Sequence, residues 1–497
     1  MNLRLRSNAI MAVAEQLVVG ITFFVLYGVL IRSVGAEQVG ILSLVLVLTS
    51  VGQLANIGFG SALLRAIPMH EGRGERHLSI ASIETSALCS ALFYGGLLLI
   101  AYYPFQYLIT IQAGPQYAPT IAAMMVPATI NVFAMGLGAV STAGLSSIMR
   151  NDLRAVANIV GGILCLAIVF LATPRYGVVA GFWALAAQSI FVLLATWLFL
   201  YRQLPGLHLI PRRLNRTVMR DLVKVGYKLQ LQSLLVMALE PLSRLLIGHF
   251  GTLSQVTYFS MAARYVMQMR GIVYSASQPI LSAFSYLRES DPARQQQLYA
   301  TFSTVIGLAA IAMLSATAAA APFVGELWIG KREPLFEGFA ILQSLGWLAV
   351  TVILGSYFNA YSLGFLRYNL GSHVVMAVAN LVLGVALGWA FGPWGVVVAL
   401  TISLVLAGLI MGIGNARFQP HGSRFLSLSN MATLALGCAA VGTAVAGYHF
   451  VRGYWPMLAS GLASGVIWAA VMLPAFAFHS ERGLILNLLR LRIKRRG

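Results

Sequence analysis

The sequence predicts an all-α polytopic membrane protein with about fourteen transmembrane helices, and three observations carry that reading. Only 9% of the 497 residues are charged, 59% are hydrophobic and the mean hydropathy is +0.82. A soluble domain covers its surface with about 25% charged residues, so this chain has too few. Apolar runs of about 20 residues, the length a helix needs to cross hydrocarbon, succeed one another with little between them. The basic residues, finally, concentrate in alternate loops.

The first six runs are 10–31, 39–64, 78–102, 117–143, 153–173 and 178–200, and they make an N-terminal lobe, 1–201. Arg4 and Arg6 precede the first and Arg32 comes after it; Arg73 and Arg76 separate the second from the third. Arg150 lies between the fourth and fifth, Arg154 at the very start of the fifth, and Arg175 between the fifth and sixth. A linker, 202–221, is rich in Arg and Leu with Pro205, Gly206 and Pro211, a composition that suits a short amphipathic helix lying on anionic lipid. Six further runs, 222–247, 256–284, 298–328, 336–358, 371–391 and 394–413, make a C-terminal lobe, 222–415. The run 298–328 is longer than a span requires, so its Ala-rich end before Pro322 reads as extramembrane. A final helix pair, 425–450 and 454–478, with a basic tail completes the chain as 416–497.

Assigning the loops to alternate sides places about 24 basic residues on one side, including Arg212, Arg213, Arg216, Arg220, Arg288, Arg294 and the tail 490–496. The other side holds about five: Arg32, Arg175, Lys331, Arg332 and Arg452. Cytoplasmic loops retain Lys and Arg, so both termini are expected in the cytoplasm with an even number of spans. The net charge of +19 is then mostly topology signal resting on anionic headgroups, and it needs no nucleic acid. The first run, at about 22 residues, exceeds the 7–15 of a signal-peptide core and is expected to stay as a helix. Cys89, Cys165 and Cys438 fall within spans at no disulfide or metal spacing, and no cofactor is implied. Gly177/Gly181, Gly384/Gly388 and Gly461/Gly465 have the spacing of close helix packing.

An internal repeat organises the spans. Leu30 to Ser43 reads Leu-Ile-Arg-Ser-Val-Gly-Ala-Glu-Gln-Val-Gly-Ile-Leu-Ser, and Leu246 to Ser260 reads Leu-Ile-Gly-His-Phe-Gly-Thr-Leu-Ser-Gln-Val-Thr-Tyr-Phe-Ser. With one inserted residue Gly35 matches Gly251, Gln38 matches Gln255 and Ser43 matches Ser260. The offset is about six spans, an even number, so the copies share an orientation and are related by an axis along the membrane normal.

At the repeat the sequence resembles the polysaccharide-type lipid-linked oligosaccharide flippases of the MOP superfamily, often called Wzx. The stretch 222–250 together with Gly251 to Ser260 is similar to the start of that family's second lobe, and Gly35 to Ser43 resembles its first hairpin, commonly Gly-x-x-x-Tyr-Gly. Val39 stands where the pattern has Tyr. In architecture the resemblance covers the whole chain, as two six-helix lobes and a final helix pair. It implies a bacterial inner-membrane transporter, not an enzyme, that flips undecaprenyl-pyrophosphate-linked oligosaccharide repeat units from the cytoplasmic to the periplasmic leaflet for exopolysaccharide or O-antigen synthesis. The expected partners are that lipid-linked oligosaccharide and anionic membrane lipids, and polysaccharide assembly proteins are compatible with the role.

Four cations, Lys228, Arg244, Arg264 and Arg270, lie inside apolar runs, where each costs roughly 2.5–3.5 kcal/mol on insertion scales. Such a cluster points to an anionic cargo. Glu240 and Arg244 are four residues apart on one helix face, so they either neutralise one another or line a cavity together. Pro241 between them leaves the carbonyl of Met237 without its helical partner. Arg264 and Arg270 are about 120° apart around their helix, and Arg suits phosphate through its planar fork of donors; Arg270 either binds anion, snorkels or pairs with a carboxylate elsewhere. Glu15 and Glu84 are the deep carboxylates of the first lobe, and are either partners for the cations or sites for a coupling proton or Na⁺. Counting them with Glu240 against the four cations leaves a surplus of about one positive charge. Gln53 and Asn56 either face sugar or join helices, and Arg65 lies where snorkelling is the default. The family resemblance implies that Arg244, Arg264 and Arg65 engage the lipid pyrophosphate.

Two other functions fit the class. A MATE-like cation-coupled antiporter would have twelve spans and a cavity for cationic cargo, which the extra helix pair and the basic spans disfavour. A membrane polysaccharide polymerase or glycosyltransferase would present catalytic groups on a large outer loop; here those loops are short, and Glu37, Glu326, Glu333 and Glu337 form no evident pair. No phosphate-binding Gly-rich loop or zinc motif is present in the sequence.

Overall fold

The computed structural model describes residues 2–54, 63, 66–67, 70–71, 74–148, 150–220, 235–236, 238–277, 280, 284, 291–363, 367–416, 428–479 and 483. Thirteen α-helices are their main elements, and none of the described residues is in a strand. The chain divides into two compact units, Met1–Thr257 and Tyr258–Gly497. Ten of the described helical segments are long and apolar enough to cross a membrane.

The first unit contains α1 (Asn2–Leu54), α2 (Arg76–Ala113), α3 (Ala118–Ser147), α4 (Asn151–Tyr176), α5 (Val179–Gln203), α6 (Leu239–Phe250) and the start of α7 (Leu253–Ser277). α1 folds into two arms at Gly35, whose φ of 85° only glycine adopts without strain, and this is the predicted loop between the first two spans. α5 packs along α3 and α4, and α1 along α4. Hydroxyls and amides join these helices where water is excluded: Ser141 and Thr196 share a hydrogen bond of 2.7 Å, and Ser189 donates to Asn131 Oδ1 at 2.6 Å. Gly181 brings α5 against Leu30 and Leu42, as its spacing predicted.

The linker is not the amphipathic helix that its composition suggested. Residues 204–215 form an irregular strap, with a short helical turn only at 216–220. Pro205 and Pro211 lack the N–H a helix needs, and the remaining N–H groups find a better acceptor. The carboxylate of Glu84, fully buried on α2, accepts the backbone N–H of His208 at 3.1 Å, Arg212 at 3.3 Å and Arg213 at 3.0 Å. Thr85 accepts from the N–H of Asn215 and donates to the carbonyl of Arg213, and Trp197 Nε1 donates to the carbonyl of Leu209. Leu204 and Leu207 are buried beneath.

The two copies of the sequence repeat meet in space. Counting back from the matched Gln38 and Gln255, Ala36 corresponds to Leu253 and Gly40 to Thr257. Gly40 lies directly against the carbonyl of Leu253, while Thr257 Oγ1 donates to the carbonyl of Ala36 at 2.5 Å. The contact is reciprocal, as a two-fold relation between the copies requires.

The second unit holds the rest of α7 with α8 (Pro292–Ile329), α9 (Pro334–Thr351), α10 (Leu354–Leu363), α11 (Arg367–Ala416), α12 (Leu428–Arg452) and α13 (Met457–Ala477). α11 folds at Gly392, φ 62°, immediately before Pro393 and at the predicted gap between spans. α9 packs between α8 and α11, and α12 and α13 pack on each other and on α8. At the Ala-rich end of α8 the helix runs unbroken through Pro322, and Ala318, Ala319 and Ala321 are buried. Their small side chains admit the final helix pair, with Ser464 Oγ donating to the carbonyl of Ala319 and Trp468 Nε1 to Ser315 Oγ. On α13, Leu458, Leu462, Val466 and Leu473 stand exposed as a hydrocarbon-facing stripe. α7, at 25 residues, is long enough to span but too polar to rank with the ten apolar segments.

A methyl group at position 40 would overlap the Leu253 carbonyl, backbone that cannot swing aside. Gly40→Ala is therefore expected to cost about 1–3 kcal/mol and lower the unfolding temperature of the detergent-solubilised protein, measured by size-exclusion chromatography after heating. Gly95→Ala, which meets open space, is the control and should leave it near wild type.

Candidate functional site

The charges at membrane depth show how the site is built. Arg244, on the first turns of α6, is 1% exposed and donates through Nη2 to the carboxylate of Glu240, so the i,i+4 pair forms as predicted. Its Nε and Nη1 are buried without a hydrogen bond. Pro241 sits in the first turn of α6, where a missing N–H costs nothing; Met237 lies outside the described residues.

Groups other than the four intramembrane cations hold the deep carboxylates of the first unit. Glu15 accepts from Arg154 Nη2 at 2.9 Å and from Asn158 Nδ2 at 2.7 Å, clamping α1 to α4. Arg154 also donates to Ser146 Oγ at 3.2 Å. Glu84 is surrounded by the strap, with His208 Nδ1 at 2.7 Å in addition to the three backbone N–H groups. The expected balance of three carboxylates against four cations is thereby corrected: Glu15 answers Arg154, in the first turn of α4, and Glu84 a set of amides.

Arg270, on α7, has aromatic neighbours instead. Its guanidinium carbon lies 4.3 Å from the centre of the Trp347 ring on α9 and 5.6 Å from that of Tyr274 one turn along. Tyr357 on α10 and His373 on α11 are near enough to interact with its charge, and those two rings lie 6.3 Å apart. No carboxylate among the described residues forms a salt bridge with Arg270, and its Nε is buried without a hydrogen-bond partner. Gln343, one turn before Trp347 on the same face of α9, also leaves Nε2 buried and unbonded, as does His373 its Nδ1. An arginine against aromatic faces keeps its charge, and the rings take none of its in-plane N–H donors. One guanidinium can give a phosphate two parallel N–H donors.

Arg264 lies on α7 six residues before Arg270 and is engaged, with its Nε buried outside any hydrogen bond. The side chain of Gln53, and all of Asn56, Arg65 and Lys228, lie outside the described residues. Trp347, Tyr274, Tyr357 and His373 were not singled out by sequence. For His373 a signal existed: it is an ionisable residue inside an apolar run.

The loop carboxylates Glu326, Glu337 and Glu37 each have donors of their own. Glu326, near the end of α8, accepts from Tyr448 Oη at 2.7 Å and from Arg452 Nη2 at 2.6 Å and Nε at 3.0 Å. Glu337, buried in the first turn of α9, lies 2.9 Å from His449 Nε2, and Arg332 reaches the other ring nitrogen of His449. Glu37 accepts from Tyr117 Oη. Among the described residues no three His, Cys, Asp or Glu side chains gather as a metal site would require.

A family model described as "Polysaccharide biosynthesis protein" matches residues 29–332. No curated protein matches the chain at a significant level. Among solved structures, the lipid II flippase MurJ in its inward closed conformation superposes with a TM-score of 0.74 at 13% identity, covering 96% of this chain and 99% of that one. The inward-facing conformation of a multidrug resistance MATE family transporter of the MOP superfamily superposes at 0.65 and 14% identity, over 82% of this chain and 98% of that one. A MOP superfamily transporter from Pyrococcus furiosus reaches 0.53 at 14% identity, over 81% and 95%. At these identities the likeness is one of fold.

If the network around Glu326 holds α12 to α8, then Glu326→Gln and Arg452→Gln should each lower the unfolding temperature. The double variant should be little worse than either alone, because both remove one interaction. Additive losses would mean the two side chains act separately.

Proposed function

The chain belongs to the polysaccharide biosynthesis protein family, and on that premise we propose that it flips an undecaprenyl-pyrophosphate-linked oligosaccharide from the cytoplasmic to the periplasmic leaflet of a bacterial inner membrane, for exopolysaccharide or O-antigen synthesis. The observation that carries this reading is Arg270, a cation at membrane depth held by Trp347 and Tyr274 with no carboxylate partner among the described residues. A charge so costly to bury is kept where it does work. The pyrophosphate binds the guanidinium edge of Arg270, and His373, close enough to feel its charge, offers a hydrogen bond to the sugar head. Arg244, whose Nε and Nη1 are unbonded, and Arg264, Arg65 and Lys228 are assigned as further residues for the anionic cargo. Gln53 and Asn56 are assigned to the sugar. Glu240 tempers Arg244 so that the anion is not held too firmly.

Alternating access moves the head group while the polyprenyl tail stays in hydrocarbon. The excess of basic loop residues on one side supports cytoplasmic termini. A cationic cargo, as in a multidrug antiporter, is disfavoured by Arg270, which would repel it. Glu15 and Glu84 are assigned structural clamping ahead of ion coupling, because each carboxylate is already surrounded by donors.

In vesicles loaded with lipid-linked oligosaccharide, a leaflet-specific assay should show flipping that depends on the protein. Arg270→Ala is expected to slow it by about 10- to 100-fold, the loss of one desolvated charge-assisted contact. Arg270→Lys should recover only part, since an ammonium lacks the planar fork. Wild-type rates in Arg270→Ala would remove Arg270 from the pathway.

A further inference from the structure

The strap between α5 and α6 is built as a surface as well as a connection. Residues 202–220 contain five arginines, Arg202, Arg212, Arg213, Arg216 and Arg220, and no carboxylate. All five side chains are exposed. Between them Leu209, Ile210 and Leu214 are exposed as well, at 60%, 68% and 51%. Apolar side chains this accessible, alternating with cations, would be unfavourable against water and favourable at a boundary between hydrocarbon and headgroups.

The strap is held near the ends of two long helices. α2 has 38 residues, about 57 Å, against a hydrocarbon thickness of about 30 Å, so about 27 Å of it in all exceeds the core. Glu84, which holds the strap, lies eight residues after Arg76, about 12 Å from the helix start. Trp197, which holds Leu209, lies six residues before the end of α5, about 9 Å inside it. Beside the strap α5 presents Leu198 and Tyr201 outward, as a lipid-facing helix does.

The hydrogen bonds set which way the arginines face. Glu84 takes the backbone N–H of Arg212 and Arg213, and Thr85 takes the carbonyl of Arg213, so the main chain is fixed against α2 and both side chains project outward. Asn215 Oδ1 accepts from the N–H of Thr217 and Val218 and starts the turn that carries Arg216 and Arg220. Glu84, the carboxylate beneath the strap, is thus occupied by backbone.

We propose that this strap is a binding surface for the headgroups of anionic phospholipid, with Leu209, Ile210 and Leu214 seated among the upper acyl carbons and the arginines on the phosphates. An acidic protein partner is disfavoured by the exposed Leu209, Ile210 and Leu214, which acyl carbons cover and an acidic surface does not. The site lies apart from Arg270 in the sequence and does not depend on the cargo.

The test uses the purified full-length protein, stripped of lipid in detergent and titrated with phosphatidylglycerol or phosphatidylethanolamine, with bound lipid counted by native mass spectrometry. Wild type should bind phosphatidylglycerol in preference, and the triple variant R212Q/R213Q/R216Q should lose roughly ten- to hundredfold of that affinity. Those side chains are exposed, so the variant should elute as wild type does. In nanodiscs, trypsin cleavage after Arg212, Arg213 and Arg216, relative to cleavage after Arg294, should be slower with phosphatidylglycerol present than in phosphatidylcholine alone. Glu84→Gln, which weakens the anchoring of the strap, should make that cleavage faster in both. Equal binding of the two lipids by wild type, or an unchanged preference in the triple variant, would overturn the proposal. So would loss in that variant of a co-purifying acidic protein while lipid preference persists.

Discussion

A full charge removed from water must be met by an opposite charge, a set of hydrogen bonds or a polarizable face, and the described architecture is arranged around that demand. Glu15 ties α1 to α4 through Arg154 and Asn158. Glu84 gathers three amides and so shapes a segment that has no helical structure of its own. Glu326 and Glu337 bind α12 to α8 and α9 through Arg452 and His449. In each case the group that had to be satisfied joins elements that hydrophobic packing alone would leave free to slide, because a bilayer gives apolar helices little reason to prefer one another over lipid.

Arg270 meets the same demand differently, and the difference has a functional meaning. A carboxylate would neutralise it and compete with any anion for its N–H groups. The face of Trp347 attracts a cation by about 0.5–2 kcal/mol and occupies none of the in-plane donors. The guanidinium is thereby oriented without being discharged. Under the proposed function that combination is what a carrier needs, since the cargo has to bind on one side of the membrane and leave on the other.

How much of this was legible in the sequence depended on the distance along the chain over which each interaction acts. The bends at Gly35 and Gly392 fall in the gaps between apolar runs because the residue types that permit a sharp turn are themselves the interruption. Glu240 and Arg244 were readable as a pair because helical spacing brings them together. Glu15 and Arg154 are 139 residues apart, and the Arg270 recess collects Trp347, Tyr357 and His373 from three other helices. No local rule specifies such pairings, so counting charges gave a near balance where the fold distributes them otherwise. The strap misled for a related reason: its Arg/Leu composition is that of an amphipathic helix, yet a buried carboxylate from 124 to 129 residues earlier takes the N–H groups that a helix would use.

In the final helix pair, polar partners and small residues act together. The buried alanines of α8 let α12 and α13 approach closely, and Ser315 and the Ala319 carbonyl receive hydrogen bonds from Trp468 and Ser464. At the end of the same helix Glu326 is bound by Tyr448 and Arg452, both on α12. Parting α12 and α13 from α8 would separate Glu326 from Arg452 and leave the Trp468 indole N–H without an acceptor in a medium that offers none. A displacement of α8 during transport must therefore carry α12 and α13 with it, and the pair belongs mechanically to the second unit although it lies beyond the six-span repeat in sequence.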